Sequence, residues 1–174
     1  MTAEPLDPLG PLDPLDPLDP LDPMDRLLAE RACERLVSEF VRRLDLGEPA
    51  RVAELFTVDG VWEWPEGDRR VQGREALRAY FGSRPADRLS RRVCTNILVA
   101  VASGSEATAT TYFTTYRMDG HTGGMAPPRM PTQVGHYEDA FRKVGGEWLL
   151  STRSTFLAFA GPTERATVRP ADAS

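Results

Sequence analysis

Leu89–Arg117, LSRRVCTNILVAVASGSEATATTYFTTYR, is the stretch whose reading decides the fold. Two runs rich in β-branched and aromatic residues flank Ser103-Gly104-Ser105, which predicts the central hairpin of a curved sheet. Strand side chains alternate, so Arg92, Cys94, Asn96 and Leu98 are expected on one side and Val93, Thr95, Ile97 and Val99 on the other. Arg92 then lies deep in a strand. A guanidinium withdrawn from water keeps its proton and needs a carboxylate, so the question that organises the chain is what Arg92 faces.

Upstream, Leu28, Ala32, Leu36, Phe40 and Leu44 recur every four residues with Cys33, Val37 and Val41 beside them, predicting a helix of about five turns that starts at Asp22 or Asp25. Asp45 falls in its last turn, just before Gly47. A carboxylate there meets the negative end of the helix dipole, so it is either a surface residue, a cap for the next helix, or held by a cation. Residues 48–56 read as a short second helix, and Val61-Trp62-Glu63-Trp64 as a strand with both indoles on one face, in the core or on a pocket wall. A turn at residues 66–68, a short strand near Val71 and a third helix opening at Gly73 follow. Downstream, residues 118–131, MDGHTGGMAPPRMP, have no periodicity and read as a long loop suited to cover a cavity. Residues 132–144 form a strand with Gly135, Tyr137, Asp139 and Phe141 on one side, and Gly145-Gly146 turns it into a last strand over 147–159. The order implies an α+β domain whose helices pack inside a curled sheet.

The chain has 174 residues, suited to one domain with tails, and a net charge of -5. With no clustered basic patch, no nucleic-acid partner is expected. No apolar run approaches the ~20 residues that span a bilayer, and the N-terminus does not read as a leader, so the expectation is a cytoplasmic protein without a membrane partner. Cys33 and Cys94 read as reduced core residues. His121 and His136 lack metal-ligand spacing, and no glycine-rich phosphate loop occurs; neither a metal nor a cofactor is expected. Residues 1–24 contain a Pro-Leu-Asp triplet repeat, read as an extended or disordered tail; 25–161 form the domain, and 162–174 a C-terminal tail.

The phrases RRLDLGEPARVAELFTVDGVWEW, GREALRAYF, SRRVCTN, TYFTTY and GHYEDAFRKVGGEWLLSTRS span about residues 25–160. Together they resemble the SnoaL-like polyketide cyclase group of the nuclear-transport-factor-2-like superfamily. The resemblance implies a cone in which a curved mixed or antiparallel sheet wraps around three helices. In the resembling scytalone dehydratases and hexachlorocyclohexane dehydrochlorinases, an aspartate ending the first helix orients a histidine on the central strand, which removes a proton from the substrate. Asp45 matches that aspartate, but Arg92 stands where the histidine would be, and arginine is no ordinary general base. Trp64 falls near the family's pocket tyrosine, and Asp139 near its second histidine. What the resemblance implies here is Asp45 and Asp139 converging on Arg92, with Trp62, Trp64, Asn96, Tyr112, Tyr116 and Tyr137 around the ligand.

The expected function is a cofactor-independent cyclase, isomerase or dehydratase acting on an apolar polyketide- or terpenoid-like molecule. Arg92 would bind an enolate or carboxylate oxygen, and Asp139 would serve as acid or base. The alternatives are a binding or structural module in which Arg92 and Asp45 form a structural ion pair, and an accessory subunit of an oxygenase. A homodimer formed through the outer sheet face is also expected.

Overall fold

The computed structural model describes residues 21–165; the part of the repeat up to residue 20 and the tail beyond 165 lie outside them. Helix α1, Pro23–Asp45, opens with Asp22 Oδ1 accepting the Met24 N–H at 2.8 Å and proline in its first turn, where the missing donor costs nothing. Its buried residues are Ala29, Cys33, Val37, Phe40 and Leu44, whereas Leu28 of the expected stripe is exposed. The cause is helical geometry: each step of four residues advances ~40° around the axis, so a strict four-residue row leaves the core face within a few turns. A 3-10 helix over Pro49–Leu55 stands where the second helix was expected and buries Val52, Ala53 and Leu55.

Strand β1, Phe56–Trp64, turns through Pro65–Gly67 into the antiparallel β2, Arg69–Gln72, and helix α2, Arg74–Gly82, buries Leu77 and Phe81. Four long strands follow as an antiparallel meander: β3, Leu89–Val101; β4, Glu106–Asp119; β5, Gln133–Val144; and β6, Glu147–Ala160. The sheet is extended by β1 pairing parallel to β6, giving the open order β2-β1-β6-β5-β4-β3, with the two-residue β7, Glu164–Arg165, beside the end of β4. The helices cover the inner face of this curved mixed sheet. Their contact forms one core around Phe40, Phe56, Leu77, Phe81, Phe141 and Leu150.

The expected central hairpin forms, with a register running from Leu89↔Met118 to Thr95↔Tyr112 that shifts before Leu98↔Thr110. The shift is a β-bulge at Asn96, which takes φ 51°, a left-handed conformation that asparagine tolerates better than most residues. The single alternation read from sequence therefore fails halfway. Ser90, Arg92 and Cys94 face inward before the bulge, Ile97 and Val99 pack on the core after it, and Leu98 is exposed.

Gly135 on β5 is required by close packing: a Cβ there would lie 1.9 Å from the Phe156 carbonyl oxygen on β6. Gly135→Ala is expected to cost more than the ~1–3 kcal/mol of ordinary overpacking, because backbone rather than a side chain must move. Urea unfolding checks this, with Gly161→Ala as the control, since an added Cβ at Gly161 meets nothing within 4 Å.

Candidate functional site

The oddly placed Asp45 and the strand-borne Arg92 meet. The end of α1 brings the Asp45 carboxylate onto β3, where it accepts from Arg92 Nη1 at 2.5 Å, from the Arg92 backbone N–H at 2.5 Å and from Ser90 Oγ at 2.7 Å. The two side chains are 7% and 8% exposed, so the pair is held largely out of water. Three donors on one carboxylate outweigh the adverse helix end and fix the guanidinium in place.

Arg92 lines a cavity of about 320 Å³ between the helices and the inner sheet face. Its aromatic wall comes from Phe40, Trp62, Trp64, Tyr80, Phe81, Phe113 and Tyr137. Trp62 stacks on Tyr80 with ring centroids 5.0 Å apart, and Phe113 on Tyr137 at 4.3 Å. Arg69, Arg84, Arg88 and Arg117 join Arg92 in the lining, which among the described residues contains no Asp, Glu or His. Burial, reinforced by the charge of Arg92, pushes the Arg84 and Arg117 guanidiniums down to about 10, so both remain cationic at neutral pH. Burial likewise pushes the Tyr137 phenol above its ordinary range and keeps it protonated.

Asp139 does not join Arg92. It lies directly opposite Arg153 of β6 and forms a bidentate pair with it, Nε to Oδ1 at 2.7 Å and Nη2 to Oδ2 at 2.6 Å, both side chains 0% exposed. The Arg153 guanidinium lies against the Phe40 and Tyr137 rings, 4.2 and 4.4 Å from their centroids. Neither residue lines the cavity, so a carboxylate locked in this way is not placed for proton transfer there. Tyr112 and Tyr116 also depart from expectation. They alternate with the inward Thr111, Phe113 and Thr115, and so emerge on the outer face at 56% and 37% exposure. Asn96 is exposed at the bulge. Trp62, Trp64 and Tyr137 do reach the cavity.

Sequence reasoning missed Arg153, Arg84, Arg88 and Arg117. Arg153 carried a signal, since it interrupts the strand WLLSTRSTFLAF as Arg92 interrupts its own, and Arg117 is in phase with Phe113 and Thr115. Arg84 and Arg88 fall in the connection SRPADR, whose composition is that of a solvated turn. Among the described residues, no cluster of three or more His, Cys, Asp or Glu side chains is arranged to hold a metal ion, and no helix is long and apolar enough to cross a membrane.

An open curved sheet in which β1 runs parallel to β6, wrapped around a long first helix and enclosing an aromatic-walled cavity, is the nuclear-transport-factor-2-like, cystatin-like architecture. Within it, the chain belongs to the SnoaL-like domain family, whose model matches residues 25–154. Similar solved structures include a hexachlorocyclohexane dehydrochlorinase, LinA type 2, at 15% identity and TM-score 0.67, covering 87% of this chain and 99% of that one. ActVI-ORFA from Streptomyces coelicolor is 22% identical at TM-score 0.62, over 76% of this chain and 98% of that one. Rv3472 from Mycobacterium tuberculosis, a protein of unknown function, is 22% identical at TM-score 0.64, over 75% and 77%. At these identities the likeness shows the fold alone. The comparison with curated proteins finds no significant match.

Proposed function

We propose that this SnoaL-like domain is a cofactor-independent enzyme of cyclase, isomerase or dehydratase type that converts a small polyketide-like molecule in its cavity. The observation that carries the reading is Arg92, clamped by Asp45 and presented in an aromatic-walled cavity. A fixed cation in a site shielded from water stabilises charge as it develops on a carbonyl oxygen, without reorganising at the moment of reaction. Tyr137, kept protonated by burial, is a neutral hydrogen-bond donor on the same wall. The aromatic rings supply shape, which favours a folded substrate conformation over an extended one.

Enolisation is the step such a cation accelerates, with solvent water or buffer base taking the α-proton while Arg92 holds the oxygen that gains the charge, so the test is hydrogen–deuterium exchange at the α-carbon of β-tetralone in heavy water, followed by NMR. The parent protein is expected to accelerate exchange over buffer. Arg92→Lys, which keeps the charge but loses the fork held by Asp45, is expected to slow the catalysed exchange by about 10²–10³-fold, the usual cost of one misplaced oxyanion donor. Catalysed exchange that survives in Arg92→Lys overturns the role given to Arg92. A second reading, binding without turnover, is favoured by the absence of Asp, Glu and His from the lining among the described residues; it requires the parent protein to bind β-tetralone and leave exchange at the buffer rate.

A further inference from the structure

We propose that the cavity takes a cyclic or aromatic monocarboxylate, with Arg84 and Arg117 holding its carboxylate group. This rests on the cavity being a small-molecule site, as above, and adds the charged group its ligand carries.

Five guanidiniums line the cavity; that of Arg69 is exposed and screened by solvent, which leaves those of Arg84, Arg88, Arg92 and Arg117 on the part of the wall withdrawn from water. Two are matched by carboxylates: Arg92 by Asp45, and Arg88 by Asp119 through bonds of 2.6 and 3.2 Å. Arg84 and Arg117 have no carboxylate among the described residues. The Arg84 side chain donates to Ser90 Oγ at 2.9 Å, and Arg117 Nη2 to the Gln133 amide oxygen at 3.3 Å. Arg117 Nε is buried with no partner, as are Trp64 Nε1 and Thr155 Oγ1, and all three residues line the cavity. Unpaired buried donors cost free energy, and one of these belongs to Arg117, a guanidinium without a carboxylate.

The charge balance sets the valence of what is missing. Four guanidiniums against two carboxylates leave two positive charges. Helices α1 and α2 both end at the cavity, at Leu44 and at Phe81 and Ser83, and each C-terminus supplies at most about half an elementary negative charge. About one positive charge remains. A carboxylate cancels it, whereas a phosphate monoester, with close to two negative charges at neutral pH, exceeds it. A carboxylate also matches the planar fork of a guanidinium through two parallel N–H bonds. The volume of about 320 Å³ is at the small end of ligand pockets, which run from ~300 to 1,000 Å³, and its aromatic wall suits a flat ring system.

Isothermal titration of the full chain with naphthoate, naphthamide and naphthyl phosphate at low salt tests this. The ring is constant and only the headgroup changes. Naphthoate is expected to bind at least tenfold more tightly than either of the others. In the Arg84→Met/Arg117→Met double variant the preference over the amide should fall to less than twofold, with a melting temperature no lower than the parent's. Equal binding of acid and amide by the parent overturns the proposal. So does tighter binding of the phosphate, a preference that persists in the double variant, or no naphthoate binding at millimolar concentration. Should the double variant fail to fold, the acid-to-amide ratio of the parent decides alone. The two readings fail separately: acid selectivity without Arg92-dependent exchange overturns only the enzymatic reading, and exchange without acid selectivity overturns only this one.

Discussion

Asp139→Leu is expected to destabilise the fold by about 3–5 kcal/mol, the cost of leaving a buried charge without its partner. The carboxylate takes two of the donors of a guanidinium that is wholly out of water, and among the described residues no other anion is paired with Arg153. Adding Arg153→Met should restore most of the loss, because the site is otherwise apolar, between Phe40 and Tyr137, and a pair of matched hydrophobic side chains avoids the desolvation of both ions. Arg153 Nη1 is already buried without a partner, so the native pair is imperfectly satisfied and recovery should be substantial. Urea unfolding of the two variants and the parent measures both quantities. A single variant within about 1 kcal/mol of the parent would show that water reaches Arg153.

Asp45→Asn is expected to have the second largest effect, about 2–4 kcal/mol, with a functional loss attached. The carboxylate accepts from Ser90 Oγ, Arg92 Nη1 and the Arg92 backbone N–H. An amide of the same shape offers one oxygen and turns its NH₂ towards a donor, so at least one of these bonds becomes a clash of two N–H groups. Arg92 then loses its anchor, and β-tetralone exchange should fall to the level of Arg92→Lys while the protein remains folded. Chemical denaturation and the exchange assay, run on the same sample, separate the stability loss from the positioning loss. Full exchange activity in Asp45→Asn would show that Arg92 is placed by β3 alone.

The fold was legible in the sequence because its largest elements carry periodicities that tertiary context does not override. The four-residue apolar row of α1 and the alternation of β4 and β5 are examples, and the glycines at 145 and 146 mark the β5–β6 turn. The site was legible only where a polar residue broke such a pattern. Asp45 at the wrong end of a helix and Arg92 inside a strand were each anomalous alone, and the structure resolves both with a single contact. Asp139 was assigned to the wrong partner because one alternating strand presents its charge to a whole face. Which cation it meets depends on pairing across β6, where Arg153 sits opposite. Tyr112 and Tyr116 were misplaced because aromatic content was read without phase, and phase puts Phe113 inside instead. Arg84 and Arg88 had no local signal, since a connection between elements carries no period from which direction can be read.

The bulge at Asn96 gives β3 two independent reading frames. The half before it sets Ser90, Arg92 and Cys94 inward, Arg92 reaching the cavity, and the half after it sets Ile97 and Val99 towards the core. Were the strand regular, the residues that hold the ligand end and those that hold the base would share one parity, and a change of length in either would turn the other inside out. The extra residue uncouples them. Deleting that residue would therefore turn one half of β3 over while the other half kept its facing.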